Sequence, residues 1–277
     1  TDYTLTAPNI LTLAVPCLEG EELQIVSFRM TLVGADAETV AYTATGTGTI
    51  VRTQADKNAE SLSVLDYMTD AQREDVVNYI GTLDVSDALI AAYSDASALG
   101  MKAYEPGGIY RSTKPLTIFK GLTIEGVGNS PYAGALGTLG KGTWHHFDHT
   151  GRGFKIQGVT SELQSTATLR QIGTYRTQPT PGGGWAPTAH DFDIYIDNFD
   201  VLLYDIMLLN PTKGVQCVNG QAGRLEVNRL RGQPLQIGLD IVLAYDAPKL
   251  ESIHFWPFWK DNSDVHTYTK RDRKSVV

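Results

Sequence analysis

The sequence has 277 residues, 42% of them hydrophobic, and its 31 acidic residues outnumber 23 basic ones to give a formal net charge of −8. The length and apolar content are sufficient for a substantial core. The acidic balance argues against nucleic acid or an anionic membrane surface as the main partner, because either would require a basic face. No apolar run of about 18 residues occurs, so no membrane insertion is predicted.

The first 50 residues carry the alternation of apolar and polar side chains that is typical of strands. Thr, Val and aromatic residues recur at period two in four segments, residues 3–6, 10–15, 23–32 and 40–45. Residues 52–61 have too few apolar side chains for a core and are predicted to form a linker. We therefore place a small β-rich domain at residues 1–51.

Two helices are predicted in the neck that follows, residues 52–101. The residues Thr69-Asp-Ala-Gln72 form a capping-box pattern, so a short helix is expected to begin there and to end near Gly81. A second helix is expected to begin at Asp84 or Ser86 and to end at Gly100. Its apolar stripe is expected to cover the open end of the next domain, and it consists of Val85, Leu89, Ala92, Tyr93 and Ala96.

From residue 102 onward the sequence predicts short strands without further helix. Three stretches, residues 203–208, 225–230 and 250–255, repeat one apolar pattern at offsets of 22 (225−203) and 25 (250−225) residues. A period in the twenties without tight hairpin turns is typical of a parallel solenoid. In this register Asn228 takes the place of Ile206 and Ile253, and is expected to hydrogen-bond along the stack. Residues 128–143 and 177–190 are interpreted as excursions from the coils.

Residues 61–128 resemble the beginning of the β-helix of bacteriophage tailspike proteins. The shared motifs are Ser63-Val-Leu-Asp-Tyr-Met68, a helix, Pro106-Gly-Gly-Ile-Tyr110 and Leu122-Thr-Ile-Glu-Gly-Val-Gly128. Residues 151–156 and 253–259 are also similar to tailspike segments. Residues 2–6 and 18–25 resemble part of the small modules that join tailspikes to the virion. Because that module's opening strands are absent, and further coils are expected after residue 277, we expect the chain to be a piece of a longer protein.

The resemblance implies a mainly β protein, whose right-handed parallel β-helix begins at residue 102 and follows the helical cap and the β-rich adaptor domain. It implies a homotrimer in the virion, assembled in the host cytoplasm and attached to the phage tail, its baseplate or another tailspike. Such proteins bind capsular or O-antigen polysaccharide, and commonly cleave it by hydrolysis or lyase chemistry. No cofactor and no nucleic-acid partner are expected. The alternatives are a secreted polysaccharide lyase of pectate-lyase type and a tail adaptor or fibre without catalysis.

Glu226 and Glu251 are the first candidates for catalysis. Glycoside hydrolysis uses two carboxyl groups about 5 Å apart for retention, or about 6.5 to 9.5 Å apart for inversion. In the predicted register the two glutamates occupy equivalent places in successive coils, so their backbones are expected about 4.8 Å apart. The alternative is a charged coil surface on which Arg224 or Arg229 pairs with Glu226.

Asp193 and Asp197 are the second candidates. With Asp191 they alternate with apolar residues, so a strand there is expected to expose all three aspartates on its outer face. They could form an acid–base pair, a cation site or a solvated surface.

Aromatic and histidine side chains complete the candidate residues. Trp256 and Trp259 are candidates for stacking on sugar rings, while the register assigns Phe255 to the core. The alternative is that the tryptophans fill a subunit interface or a wide coil. The segment from His145 to His149 lacks the ligand spacing of a zinc site, so no metal is expected. Cys17 and Cys217 are predicted to be buried free thiols.

Overall fold

The computed structural model describes residues 3–6, 10–13, 41–42, 51–58, 60–118, 121–129, 139–157, 166–197, 200–218, 224–244 and 246–256. The chain divides into two compact units, Thr1–Gln54 and Ala55–Val277. The structure is mainly β, with parallel sheets and few helices, as predicted. In the described part of the chain, no helix has the length and apolar character needed to cross a membrane.

The N-terminal unit contains antiparallel strand pairs. Strand β1 (Tyr3–Thr6) pairs with β2 (Ile10–Leu13), and β3 (Ala41–Tyr42) pairs with β4 (Arg52–Thr53). The predicted strand at residues 23–32 lies outside the described residues, as does Cys17. The predicted linker contains regular structure, because helix α1 (Gln54–Asn58) follows β4 directly. Its low apolar content reflects a helix without buried residues, not an absence of secondary structure.

The predicted capping box is confirmed at the start of helix α2 (Asp70–Val77). The Gln72 backbone N–H donates to Thr69 Oγ1 at 3.3 Å, and the Thr69 N–H donates to Gln72 Oε1 at 3.0 Å. The helix ends four residues earlier than expected (81−77). Asp75 accounts for this difference, because its carboxylate accepts hydrogen bonds from the Thr82 and Leu83 backbone and holds the turn that follows the helix.

All five residues of the predicted stripe are buried, four of them on helix α3 (Ser86–Leu99) and Val85 at the N-cap position before it. The helix ends at Gly100, whose φ of 67° is the left-handed conformation predicted from the glycine. At its start no side chain caps the helix from the N-cap position, although Asp84 Oδ1 accepts from the Ser86 N–H at 3.0 Å. The helix contacts strands β5 (Ser61–Ser63), β6 (Lys102–Tyr104), β8 (Leu116–Ile118) and β9 (Leu122–Glu125) of the solenoid.

Strands β6 to β20 all form parallel pairs. They are β6 (Lys102–Tyr104), β7 (Gly108–Ser112), β8 (Leu116–Ile118), β9 (Leu122–Glu125), β10 (Thr143–Phe147), β11 (Phe154–Gln157), β12 (Thr166–Arg170), β13 (Gly173–Tyr175), β14 (Phe192–Asp197), β15 (Asp200–Leu209), β16 (Lys213–Val218), β17 (Leu225–Gln233), β18 (Ile237–Ile241), β19 (Lys249–Glu251) and β20 (His254–Phe255).

These strands stack into three faces that the chain visits in turn, as in a parallel β-helix. The first face contains β5, β6, β9, β12, β19 and the first halves of β15 and β17. The second contains β7, β10, β13, β20 and the second halves of β15 and β17. The third contains β8, β11, β14, β16 and β18. The hand of the winding stays a prediction.

A single residue with a positive φ turns the chain from the first face to the second. It recurs in four successive coils, at Gln171 (58°), Asp205 (54°), Arg229 (60°) and Ser252 (54°). Because one left-handed residue bends the backbone without ending the pairing on either side, β15 and β17 run across both faces. This corner brings together side chains from neighbouring coils.

The predicted offsets of the leucine repeat are wrong. Val201 pairs with Leu225, which gives an offset of 24 residues (225−201), and Val227 pairs with Leu250, which gives 23 (250−227). The two errors cancel over two coils, so Leu203 and Leu250 do lie in line. Side chains alternate between faces with period two, so a shift of two residues preserves the apolar pattern and is not detected from it. Asn228 therefore pairs with Tyr204 and Glu251, not with isoleucines.

The solenoid encloses an apolar core that also contains the stripe of α3. Phe255 packs against this core, as predicted, and Cys217 is a buried free cysteine. Residues 176–191 form an excursion between β13 and β14, as expected from their Pro and Gly content.

Candidate functional site

The first face presents a row of polar and aromatic side chains on its outer surface. Neighbouring members pair from coil to coil, so their backbones are about 4.8 Å apart. We call these residues the outer row: Tyr104, Glu125, Arg170, Tyr204, Asn228 and Glu251. All six are partly or fully exposed, whereas the residues that alternate with them on β9, β12 and β17 are buried.

Contacts within the outer row hold its charged groups in place. Glu125 lies between two cations, with its carboxylate 2.6 Å from Lys102 Nζ and 3.4 Å from Arg170 Nε. The Arg170 guanidinium is 5.7 Å from the centre of the Tyr204 ring. Asn228 Nδ2 donates to Glu251 Oε2 at 3.1 Å, so the amide does bond along the stack, although on the outer surface. The row is therefore an ordered surface rather than a set of independent side chains.

The predicted catalytic pair of Glu226 and Glu251 is not formed. Glu226 pairs with Lys249 in the next coil, and Glu251 lies two residues further along the strand. Glu226 Oε1 accepts from Lys249 Nζ at 2.7 Å, and this contact raises the pKa of the lysine. The prediction fails because it depended on the wrong register. Arg224 and Arg229 are not the partners of Glu226 either, since they lie near Asp246 and Asp205.

Asp193 is fully buried, which contradicts its predicted place on an outer face. Its Oδ1 accepts from Arg176 Nε at 2.7 Å, and its Oδ2 accepts from Thr174 Oγ1. The Arg176 guanidinium is also fully buried and donates to the backbone carbonyls of Phe147, His149 and Gly151. The predicted alternation of buried and exposed side chains along β14 fails at Asp193, because the side chains of Thr174 and Arg176 reach its carboxylate. Such a satisfied buried pair holds coils together and does not offer a free carboxylate for catalysis.

Asp197 lies at the end of β14 and is half-buried. Its Oδ1 is buried and has no hydrogen-bond partner among the residues that the structure describes. The structure does not bring the carboxylates of Asp197 and Asp193 together. The two residues lie four positions apart on one strand, and Asp193 is paired with Arg176.

The histidine segment separates into an inner and an outer part. His145 Nε2 is 2.8 Å from Glu105 Oε2, and both side chains are fully buried. The other oxygen of Glu105 accepts from Tyr93 of α3, whose pKa burial raises well above its usual value. His146 lies on the opposite surface of β10, where its Nε2 is 3.0 Å from Thr177 Oγ1. Among the described residues, no group of three or more His, Cys, Asp or Glu side chains could hold a metal ion.

Trp256 packs against an apolar cluster on the outer surface of the second face. The cluster contains Trp144, Met207 and Leu209, and Trp256 is partly buried on it. Its backbone N–H donates to the Gly232 carbonyl at 2.9 Å, which continues the strand pairing beyond β20. Trp259 lies outside the described residues. The predicted pair of stacking tryptophans therefore stays a prediction, and one member already has a packing role.

Sequence reasoning missed Tyr104, Arg170 and Tyr204 of the outer row. Each directly follows a buried apolar residue of its strand, which is a usable signal once the coils are correctly aligned. Leu203 and Leu250 lie two coils apart and are separated by 47 residues (250−203), so the average coil contains about half that number. Alignment on this average would have given the correct register.

Two histidines, the half-buried His149 and the buried His190, give the solenoid a predicted pH dependence. Burial, and then the charge of Arg176, lower the pKa values of His149 and His190 to about 4. Both are therefore neutral in the folded protein at pH 5 to 6, whereas histidines of the unfolded chain titrate at about 6.5. We expect the free energy of unfolding to be at its full value above about pH 6.5 and to fall as the pH is lowered towards 4.

Urea unfolding at pH 7 and pH 5 tests this expectation. His190→Gln removes one of the two titrating groups, so the loss of stability between the two pH values should become smaller than in the wild-type chain. His254→Gln changes an exposed histidine and should leave that loss unchanged. The same pH dependence in all three proteins would show that His149 and His190 do not cause it.

Comparisons with known proteins give a structural likeness but no match in sequence. No protein-family model and no curated protein matches the sequence. Among solved structures, the chain is similar to tailspike protein 3 of bacteriophage CBA120, with a TM-score of 0.38 and 13% sequence identity. The match covers 75% of this chain and 38% of the tailspike chain, so this chain spans less than half the length of that protein.

Proposed function

We propose that the chain is part of a bacteriophage tailspike that binds bacterial surface polysaccharide along the outer row of its solenoid. The observation that carries the proposal is the outer row itself, an ordered line of tyrosine, charged and amide side chains on consecutive coils. The resemblance of residues 61–128 to tailspike sequences supports the same assignment.

The chemistry of the outer row is suited to an extended chain of sugars. Tyrosine rings supply apolar faces for sugar rings and a polar hydroxyl at their edge. Arg170, Glu125 and Asn228 supply donors and acceptors that are already held by neighbouring side chains. Strand pairing between the coils fixes the spacing of these groups, so little conformational entropy is lost when a polymer binds.

The rest of the proposal follows from the resemblance. The N-terminal unit attaches the protein to the phage tail, three copies form the functional assembly, and α3 caps the first coil. We leave cleavage outside the proposal, because every carboxylate in the described part of the outer row contacts a cation or an amide. An assay for new reducing ends tests cleavage separately from binding.

A polysaccharide binding experiment tests the proposal. The purified chain is presented with a panel of capsular and O-antigen polysaccharides, and affinity is measured by biolayer interferometry. We expect binding to at least one polymer, and we expect Tyr204→Ala to weaken it about tenfold, which corresponds to about 1.4 kcal/mol. Tyr175→Ala changes a half-buried tyrosine on the second face and should leave the affinity unchanged. Absence of binding to the whole panel, or equal affinity of the Tyr204→Ala protein, would refute the proposal.

A further inference from the structure

A groove lies at the corner between the first and second faces, next to the outer row. It has a volume of about 590 Å³, which is within the range of small-ligand sites. We call it the corner groove, and its polar lining includes Tyr79, Asn129, Lys141, Asp205, Arg229 and Arg231. The described residues on either side of the excursion after β9, the turn after α2 and the corners of successive coils all contribute to it.

The corner groove is electropositive in a chain whose net charge is −8. Arg231 Nη2 is 2.7 Å from Asp205 Oδ1, and Arg229 Nη2 is 3.6 Å from the same oxygen. The Asp205 carboxylate is thus the shared counter-charge of two guanidinium groups. Lys141 Nζ lies 3.9 Å from the centre of the Tyr79 ring and adds a third cation. These four charged residues carry a net charge of +2, so the groove favours an anion.

The corner groove also contains polar atoms that lack hydrogen-bond partners. Both side-chain polar atoms of Asn129 are buried without a partner among the described residues, and so is Nε of Arg231. Buried polar groups of this kind are costly unless something bonds to them. An oxyanion could accept from the guanidinium and the amide nitrogen, and a neighbouring hydroxyl could donate to the amide oxygen.

Backbone geometry explains why the cations meet at this corner. Asp205 and Arg229 are the left-handed residues of two successive coils, and Arg231 follows two residues after Arg229 on β17. The side chains of one coil therefore start about 4.8 Å from those of the next, within reach of a single small anion. Arginine suits this position because its planar fork can bind a carboxylate or phosphate through two parallel hydrogen bonds.

We propose that the corner groove binds an oxyanion, carboxylate or phosphate, carried by a saccharide unit of the polymer. The proposal deepens the polysaccharide binding proposed above and rests on it. It specifies an acidic polysaccharide, with its charged group in the corner groove and its neutral units on the adjacent outer row. Raised ionic strength weakens this binding, because the attraction is between charges that remain partly exposed.

Calorimetry on the full chain with three probes tests the groove directly. The probes are an oligogalacturonate, a neutral galactose oligomer of equal length and inorganic phosphate. We expect one of the anions, and not the neutral oligomer, to bind. Preference for the oligogalacturonate assigns a carboxylate, and preference for phosphate assigns a phosphate. Absence of binding to both anions, or equal binding of the neutral oligomer, would overturn the proposal.

Arginine variants locate the binding. The double variant Arg229→Gln with Arg231→Gln should weaken anion binding at least tenfold. The single variant Arg229→Gln preserves the contact of Arg231 with Asp205, and should weaken binding about threefold while leaving the fold intact. Arg224→Gln removes an exposed arginine of the same coil that does not line the groove, and should have no effect. Equal affinities of the double variant and Arg224→Gln would place the anion elsewhere.

The polysaccharide panel separates failure of this proposal from failure of the broader one. Binding of a polymer that Tyr204→Ala weakens and the double arginine variant does not would overturn the corner groove while preserving the outer row. Binding of inorganic phosphate without binding of the oligogalacturonate or of any polysaccharide would show that the groove does not bind a saccharide, and would overturn both proposals.

Discussion

The substitution Asp193→Asn is expected to lower the free energy of unfolding of the unit Ala55–Val277 by about 3 to 5 kcal/mol. Asp193 and Arg176 form a fully buried ion pair with a 2.7 Å contact. Asparagine is similar in size but carries no charge, so the Arg176 guanidinium would stay in the interior without its counter-charge. The carbonyl groups that it contacts bear only partial charges. Thermal unfolding followed by circular dichroism should show a decrease in Tm of about 10 °C.

Asp191→Asn is the matched control for this substitution. Asp191 lies two residues away, is partly exposed, and has its carboxylate 3.3 Å from Arg152 Nε. Because exposed ion pairs contribute little, its loss should cost less than about 1 kcal/mol. Similar losses for the two variants would mean that the Asp193 and Arg176 pair contributes no more to stability than a surface contact.

The parts of the structure that could be predicted from sequence depend on local rules. The capping box at Thr69 and the left-handed end at Gly100 each depend on residues close together in the chain. The buried stripe of α3 follows from helical spacing alone. For the same reason the short strands between residues 102 and 125 lie where period-two alternation places them.

The alignment of the coils could not be fixed in this way. Val201 pairs with Leu225, but Leu203 could pack beside Leu225 equally well, because Val201 and Leu203 are both apolar and point to the same side of the strand. The number of residues in each coil depends on loops of different length, and apolar periodicity contains no information about it. An error of two residues was enough to join Glu226 to Glu251 and to separate Asn228 from Tyr204.

The polar interior was the other feature that the sequence did not reveal. Arg176 contacts a carboxylate 17 residues later and a carbonyl 29 residues earlier, and His145 is 40 residues from Glu105. Alternation indicates the face of a strand on which a polar residue lies, but not whether a partner in another coil will satisfy it inside. The corner groove could not be predicted for the same reason. Tyr79 and Arg231 both line it, but they are far apart in sequence and are brought to the same groove only by the folding of the solenoid.

Gly232→Ala is expected to have the second large effect on stability. Gly232 has a φ of 142°, and a Cβ atom there would lie 2.0 Å from the Leu208 carbonyl oxygen and 2.7 Å from its carbon. Both atoms belong to the backbone of the preceding coil, whose distance is fixed by the pairing of β15 with β17. Backbone strain and overpacking together should therefore cost about 2 to 6 kcal/mol, measured by urea unfolding.

Gly183→Ala separates this steric effect from the general effect of replacing a glycine. Gly183 lies in the excursion before β14, and a Cβ atom there would meet nothing within 4 Å. Alanine restricts the unfolded chain, so this variant should be neutral or more stable by up to about 1 kcal/mol. The coil spacing leaves no room for a methyl group at residue 232, so the two alanine variants should differ in sign as well as in size. A Gly232→Ala protein as stable as the Gly183→Ala protein would show that neighbouring coils can move apart.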